Sequence, residues 1–501
     1  MQSPIVPALS LIGCASAVTA LLSFATPVSE SDEDRLSAGL ASVSADRIQA
    51  DLDFIASDEL RGRDTPSPEL KIAARYIRAR LARMGFEPGA PDDSYFYMYE
   101  LAYSPLDLER SRLDVTVGGV QQSFEPGRDY FFSSSRDGFS VDVTADVVFC
   151  GYGRRNDFPD DIAGKWALCL DNGRGRSRRG NTAQAAGALG LLTFPGAEYD
   201  EEPYVERFSV PMATLTRGQV SYPDGPKVES GFPQLFLTRE RGLELLERSP
   251  ARPEEVAAAD WMPELGTALG MRATESRQLQ FENGRIALEN VCGFWPGADP
   301  ELSKEVILVS AHYDHVGARG GEIYNGADDN GTGTCGLLAL SEALATYGPL
   351  NRSVLLIWVS GEEKGLLGSK AWADDPWLPD GHRAVANINI DMIGRNSSDQ
   401  LLYTPTSRLK EFYNGLAQVT EALAPLEGFS DLGSADAYYH RSDQAEFERL
   451  GIPVMFLFSD IHDDYHKPTD TPDKIDTDKV RRVVRLVLRM LVELEDGPLE
   501  R

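Results

Sequence analysis

The sequence predicts an α/β protein, a mixed central β-sheet flanked by helices, with a β-rich module inserted into it. Three observations carry that expectation. From Glu305 onward, near-continuous apolar runs (Val306–Ser310, Val354–Val359, Val385–Ile390, Pro453–Phe458) have helical segments such as Gly336–Tyr347 between some of them. Such runs are strands buried on both faces, covered by helices. Upstream, Ala45–Leu60 and Pro68–Met84 place apolar residues at helical spacing. Between the two regions, from Leu113 to about Trp261, the pattern turns to alternating strands among Gly-, Pro- and Arg-rich loops.

Taken in order, the chain opens with an apolar stretch, Ile5–Val28, and its first charged side chain is Glu30. That length suits an export signal or an uncleaved N-terminal anchor, so residues 1–28 are read as one or the other. No Lys or Arg precedes the stretch. Leu11-Ile12-Gly13-Cys14 resembles a lipoprotein-processing box, but the residues after Cys14 stay apolar; cleavage after Ser23-Phe24-Ala25 is the alternative. The expected location is the periplasm, the medium or the outer face of a membrane.

The two early helices each bury one face, through Ile48, Leu52 and Ile55 and through Ile72, Tyr76, Ile77, Leu81 and Met84. Gly85 stops the second as a left-handed cap would. Within the inserted module, strands are expected at Val141–Phe149, Trp166–Leu170, Ala188–Phe194 and Pro233–Leu237, with helices at Thr182–Gly187 and Arg241–Ser249. The expected boundaries are 29–115 for the first part of the main domain, 116–265 for the insertion and 266–501 for the remainder.

Charge and cysteine content exclude several classes of function. With 49 basic and 78 acidic residues the net charge is −29, which disfavours nucleic acid and anionic membranes as partners. A membrane association would come only through a retained N-terminal anchor. Past the leader only Cys150, Cys169, Cys292 and Cys335 remain, too few for a disulfide framework and without Cys-x-x-Cys spacing. They read as buried free thiols, with a Cys150–Cys169 bridge as the alternative.

Five short segments carry the chemistry: His312-Tyr-Asp314, Ala327-Asp328-Asp329, Glu362-Glu363, Asp391-Met-Ile-Gly and His466-Lys-Pro-Thr-Asp470. Acidic residues usually face water and a lone His is often a polar core residue. Here, however, several fall directly after apolar strands, where ligands of open α/β sheets gather. Two histidines with carboxylates and no cysteine suit Zn²⁺ or a similar borderline metal. A pair of metals roughly 3.5–4 Å apart needs a bridging carboxylate. Asp328, in the glycine-rich turn Asn325-Gly-Ala-Asp-Asp-Asn-Gly-Thr-Gly333, is placed to be one. Asp314 is placed to accept the other imidazole N–H of His312. Glu362 and Glu363 would point in opposite directions if extended, so one can ligate while the other acts as general base. No Gly-x-Ser-x-Gly elbow or His-Glu-x-x-His helix occurs.

The motifs His312-Tyr-Asp-His-Val-Gly317, Gly326-Ala-Asp-Asp-Asn330, Gly361-Glu-Glu-x-Gly-Leu-x-Gly-Ser369 and Asp464-Tyr-His-x-Pro-Thr-Asp470 together resemble the co-catalytic dizinc exopeptidases. That family includes bacterial leucine-type aminopeptidases, glutamate carboxypeptidases, glutaminyl cyclases and the transferrin receptor. The resemblance implies the zinc-dependent exopeptidase fold and two Zn²⁺ per chain. One would sit on His312 and Asp391, the other on Glu363 and His466, with Asp328 bridging and Glu362 as base. It also implies a cis peptide at Asp328–Asp329. The insertion resembles a protease-associated domain through Phe149-Cys-Gly-Tyr-Gly153, Asp161-Ile-Ala-Gly-Lys165 and Ala183-Gln-Ala-Ala-Gly-Ala-Leu-Gly190.

By the same resemblance, Tyr439, three residues before Ser442, would stabilise the tetrahedral intermediate. Gln444 stands where many relatives have His, and Tyr465 competes for the role. His315, His382, His440 and His462 are read as non-ligands, with His440 and His462 near the cleft. The expected activity is peptide hydrolysis, most simply release of N-terminal residues. A carboxypeptidase or dipeptidase is the alternative, with a glutaminyl-cyclase-like acyltransferase or a non-catalytic binding protein behind it. Arg395, Arg441 and Lys467 are the cations that a terminal carboxylate would use.

Overall fold

A computed structural model describes residues 30–132, 140–174, 176–197, 212, 215–216, 218–223, 231–257, 260–280 and 284–497. The expected leader, 1–28, lies outside the described residues. No helix among the described residues is long and apolar enough to cross a membrane.

The chain divides into two compact units, one comprising residues 1–98, 289–318 and 323–501, the other 99–288 and 319–322. The inserted unit is therefore wider at both ends than the 116–265 expected from composition. The reason is pairing. Leu106–Val117 and Ala268–Leu279 lie antiparallel to each other along most of their length, so both belong to the insertion's sheet.

In the first unit, the strand Glu305–His312 sits between Ser353–Val359 and Arg383–Ile390 and runs parallel to both. Val454–Phe458 continues the parallel set beyond Arg383–Ile390. Arg285–Trp295 pairs antiparallel on the far side of Ser353–Val359, and Gln400–Thr404 pairs antiparallel with Val454–Phe458. The sheet is mixed at its margins and parallel at its centre. Every residue of Ser353–Val359 and Val454–Phe458 is buried, as the apolar runs require. Four parallel strands that end on one edge deliver His312, the Gly361–Glu362 turn, Asp391 and the loop to His466 to the same side of the molecule.

Helix Gly333–Tyr347 packs on Glu305–His312 and Ser353–Val359 and is itself covered by Ala45–Ile55, Pro68–Met84 and Thr477–Glu493. Pro68–Met84 begins at Ser67, whose side chain accepts the Leu70 N–H, and ends at Gly85 in the left-handed region (φ 84°), as the sequence required. Thr477–Glu493 buries Val480, Val483, Val484, Val487, Leu488 and Leu491 on one face, with Asp476 capping the Lys479 N–H.

Among the described residues, the second unit holds an eight-stranded sheet: Val120–Phe124, Leu106–Val117, Ala268–Leu279, Val141–Phe149, Trp166–Asp171, Gly190–Pro195, Gln234–Leu237 and Tyr130–Phe132, in that spatial order. Its core is aromatic, with Phe124, Phe132, Phe149, Trp166 and Phe194 all buried. Gly190 has no alternative there, because a Cβ would lie 2.2 Å from the Trp166 ring. Cys150, Cys169, Cys292 and Cys335 are all buried free thiols.

A candidate metal centre

The strand-end residues converge on two adjoining clusters. His312, Asp329 and Asp391 form one; His315, Asp329, Glu363 and His466 form the other. In the first, His312 Nε2 stands 3.4 Å from both Asp329 Oδ1 and Asp391 Oδ1. In the second, His466 Nε2 lies 3.0 Å from Asp329 Oδ2 and 3.2 Å from Glu363 Oε2. Asp329 thus presents one oxygen to each cluster, as a bridging carboxylate must.

This corrects the expected bridge: the carboxylate that faces both clusters is that of Asp329 and not that of Asp328. The cis peptide likewise falls at Asp329–Asn330 and not at Asp328–Asp329. Asp328 faces away from the two clusters. Its Oδ1 accepts the Gly394 N–H (2.8 Å) and the Thr332 hydroxyl (3.0 Å), and its Oδ2 is 3.3 Å from His462 Nε2. Its job is to tie the turn to the loop after Asp391. Asp470, the last residue of the His466 segment, accepts the backbone N–H groups of Asp328 and Asp329 at 3.1–3.3 Å, anchoring the same turn.

Glu362 and Glu363 lie in a 3₁₀ turn entered through Gly361 in the left-handed region, and not on an extended segment. Glu363 joins the second cluster, while Glu362 lines the adjoining cavity with Asp329 and Asp391. Asp314 sits as expected beside His312, but the imidazole Nδ1 is nearer the Asp314 backbone carbonyl (3.2 Å) than its carboxylate (3.7 Å). That carboxylate instead accepts the Thr65 hydroxyl and the Glu362 N–H. Ser442 donates to Asp391 Oδ2 at 2.8 Å.

Two expectations about aromatic and histidine residues change. Tyr439 is buried, its ring 4.6 Å from that of Phe412, and the tyrosines that line the cavity are Tyr438 and Tyr465. Tyr465 stacks on His466 at 3.9 Å. His315, read from sequence as a non-ligand, is fully buried with Nδ1 2.8 Å from Glu363 Oε1. Only the second His of the His312–Gly317 motif could have signalled it. Arg63 was also missed. It is fully buried and donates to the carbonyls of Ile55, Tyr313, Asn325 and Gly326, clamping the His312 and Asp329 loops together.

These residues fit divalent metal. His312 Nε2, both nitrogens of His315, Glu363 Oε1, Asp391 Oδ1 and His466 Nε2 are buried yet lack an aligned hydrogen-bond partner. Such orphaned groups are costly unless something satisfies them. Imidazoles and the carboxylates of Asp329, Glu363 and Asp391, with no thiolate, are a donor set suited to zinc or a similar borderline metal. Burial opposes protonation of His466, but Asp329 and Glu363 push it up to about 10. Burial raises Glu362 well above the usual carboxylate range, and His312 draws it partly back. Asp443 is raised to about 7, again by burial first.

The fold and the site together define a candidate metal centre at the strand ends of a mixed α/β sheet. Residues 290–491 match peptidase family M28, and residues 143–245 match the PA domain. The two matches correspond to the strand-end region of the first unit and to the inserted unit. It is 24% identical over 400 residues to aminopeptidase YwaD of Bacillus subtilis, covering 77% of this chain and 76% of that one. It is 28% identical over 213 residues to a probable leucine aminopeptidase of Arthroderma otae, 39% of this chain and 56% of that protein, so it spans about half of the fungal relative. The solved structure of BSAP, a zinc aminopeptidase from Bacillus subtilis, superposes with a TM-score of 0.55 at 19% identity, over 91% of this chain and 96% of the other. The resemblance read from the motifs is borne out.

Proposed function

We propose that this chain is an aminopeptidase that works with two zinc ions, one on His312 and Asp391, the other on Glu363 and His466, with Asp329 between them. The observation that carries the reading is the single buried carboxylate of Asp329 offering one oxygen to each cluster. Bound zinc supplies Lewis acidity and acidifies a water. The chain's own residues do the rest. Glu362, beside both clusters and outside either, takes the proton of the attacking water and returns it to the leaving amine. Tyr465 or Tyr438 at the cavity wall supports the developing oxyanion.

Met392, Phe456, Phe458 and Ile461 line the same cavity and support a preference for apolar side chains. The carboxylates of Glu362, Asp329 and Asp391 suit a substrate amine. Arg441, also lining the cavity, favours a second reading, a carboxypeptidase or dipeptidase that holds a terminal carboxylate. Export is part of the proposal and is supported by the apolar stretch Ile5–Val28.

The test is mass spectrometry of a defined peptide mixture with added zinc, comparing wild type with Glu362→Gln. Ladders shortening from the N-terminus are expected in wild type, and the variant should lose about 10²–10⁴-fold in turnover while keeping its metal. Ladders from the C-terminus would favour the second reading. Near-wild-type turnover in the variant would remove Glu362 from its role.

A further inference from the structure

We propose that Gln444 is a positioning residue for the cavity: its buried side chain ties segment 438–442 to the strand that leads to Asp391, and so sets which side chain the site accepts at the residue it releases. The inference rests on the peptide-hydrolysis reading above. Ser310, Asn387 and Asn389 are polar and fully buried, yet they lie on the central strands Glu305–His312 and Arg383–Ile390. Polar groups buried in such strands are costly unless they are hydrogen-bonded. These are bonded in series. The Asn387 amide donates to Ser310 Oγ (3.0 Å), and the Ser310 hydroxyl donates to Asn389 Oδ1 (2.8 Å).

At Asn389 the series divides. Its Nδ2 donates to Ser442 Oγ at 3.0 Å and to Gln444 Oε1 at 2.9 Å. The Ser442 hydroxyl goes on to Asp391 Oδ2. Gln444 Nε2 turns the other way and donates to the carbonyls of Tyr439 (2.9 Å) and Tyr438 (3.3 Å). The Tyr438 carbonyl also accepts the Arg441 N–H (2.9 Å), closing the turn from which Tyr438, Arg441 and Ser442 line the cavity. One fully buried amide therefore spans strand and wall, with its acceptor and its donors both in use.

The consequence is for selectivity. Met392, Phe456, Phe458 and Ile461 line the same cavity, so the place of the 438–442 wall decides how much room an apolar side chain finds there. Each link from Asn387 to Gln444 is neutral, so the wall is held without any charge that titrates. A residue that only filled space at 444 would need the volume of Gln444 and not its N–H groups.

The experiment uses the zinc-loaded full chain and two peptides that differ only in a leucine or an alanine at the first residue. The readout is the ratio of kcat/KM for the two, in which any change in metal loading cancels. Gln444→Met keeps the volume and loses the hydrogen bonds; it should lower the leucine-to-alanine ratio by about 10-fold, within the range that an apolar pocket commands, with bound zinc unchanged. Gln444→Glu keeps the acceptor for Asn389 and regains a donor only when protonated, and burial raises the pH at which that happens. Its ratio should match that of Gln444→Met at alkaline pH and return towards the wild-type value on acidification, while the ratios of wild type and Gln444→Met stay flat. An unchanged ratio in folded, zinc-loaded Gln444→Met overturns the proposal, even if its melting temperature falls. Should that variant not fold, a flat ratio in Gln444→Glu overturns it equally. If the wild type shortens peptides from the C-terminus, the aminopeptidase reading falls and the same ratio is read at the residue released there. A wild type that cleaves neither peptide from either end sinks both.

Discussion

At the residue scale, the neighbours Asp328 and Asp329 have different jobs, and their variants should separate. Asp329→Asn removes the oxygen-sharing charge between the clusters, so both ions should bind at least 100-fold more weakly. Asp328→Asn keeps an acceptor for the Gly394 N–H and Thr332 hydroxyl, so it should lower thermal stability modestly while two ions remain bound. Calorimetric zinc titration of both variants checks the contrast; equal loss in the two would contradict it. The same site makes a pH prediction. His466 in the metal-free chain is pushed up to about 10 against an unfolded value near 6.5. Its pairing with Asp329 and Glu363 thus contributes fully below about pH 6.5 and fades as pH rises towards 10. Metal must displace that proton, so zinc affinity should climb from pH 6 to 9, with protons released on binding. Titration in two buffers of different ionisation enthalpy would show it, and a pH-independent affinity would refute it.

At the element scale, the site depends on loops locked to strand ends by a few buried polar residues. Arg63 is the main lock, with its guanidinium spent on four carbonyls from three segments. Hydrogen bonds to a charged group are worth about 1.5–3 kcal/mol each. Arg63→Met should therefore destabilise the first unit by roughly 3 kcal/mol or more, and loosen metal binding because the His312 and Asp329 loops part. Denaturant unfolding with and without zinc measures both; an unchanged midpoint would show the clamp to be redundant. Strand and helix positions were legible because their apolar periods are long, and Pro68–Met84 with its Gly85 cap came out as read. The turn at Ala327–Thr332 was not. Its backbone leaves helical geometry at Asp329 (φ −102°, ψ 99°), and those two angles decide which of two adjacent carboxylates faces the clusters.

At the scale of the whole molecule, metal should be part of the stability of the first unit, because both clusters join segments from 312 to 466. A ligand at 100 times its dissociation constant adds about 2.7 kcal/mol to the folded state. Chelation should accordingly lower the first unit's melting temperature by about 5–10 °C, at roughly 2–4 °C per kcal/mol for a domain of this size. The PA-containing unit, which holds no residue of either cluster, should melt unchanged. Scanning calorimetry with and without chelator resolves the two transitions, and equal shifts in both would be the contrary result.

The sequence by itself determined the fold class and the inserted module, and it singled out four residues, His312, Glu363, Asp391 and His466, that the fold brings into the two clusters. Strand ends, apolar runs and motif order are local properties that survive without coordinates. Only the tertiary structure decided that Asp329, and not Asp328, faces both clusters, that Tyr439 packs on Phe412 while Tyr438 and Tyr465 line the cavity, and that His315 lies beside Glu363. The physical reason is shared. Each depends on where a side chain points when distant segments meet, and Gly326, Arg63 and Asp470 set that direction through contacts remote in the chain.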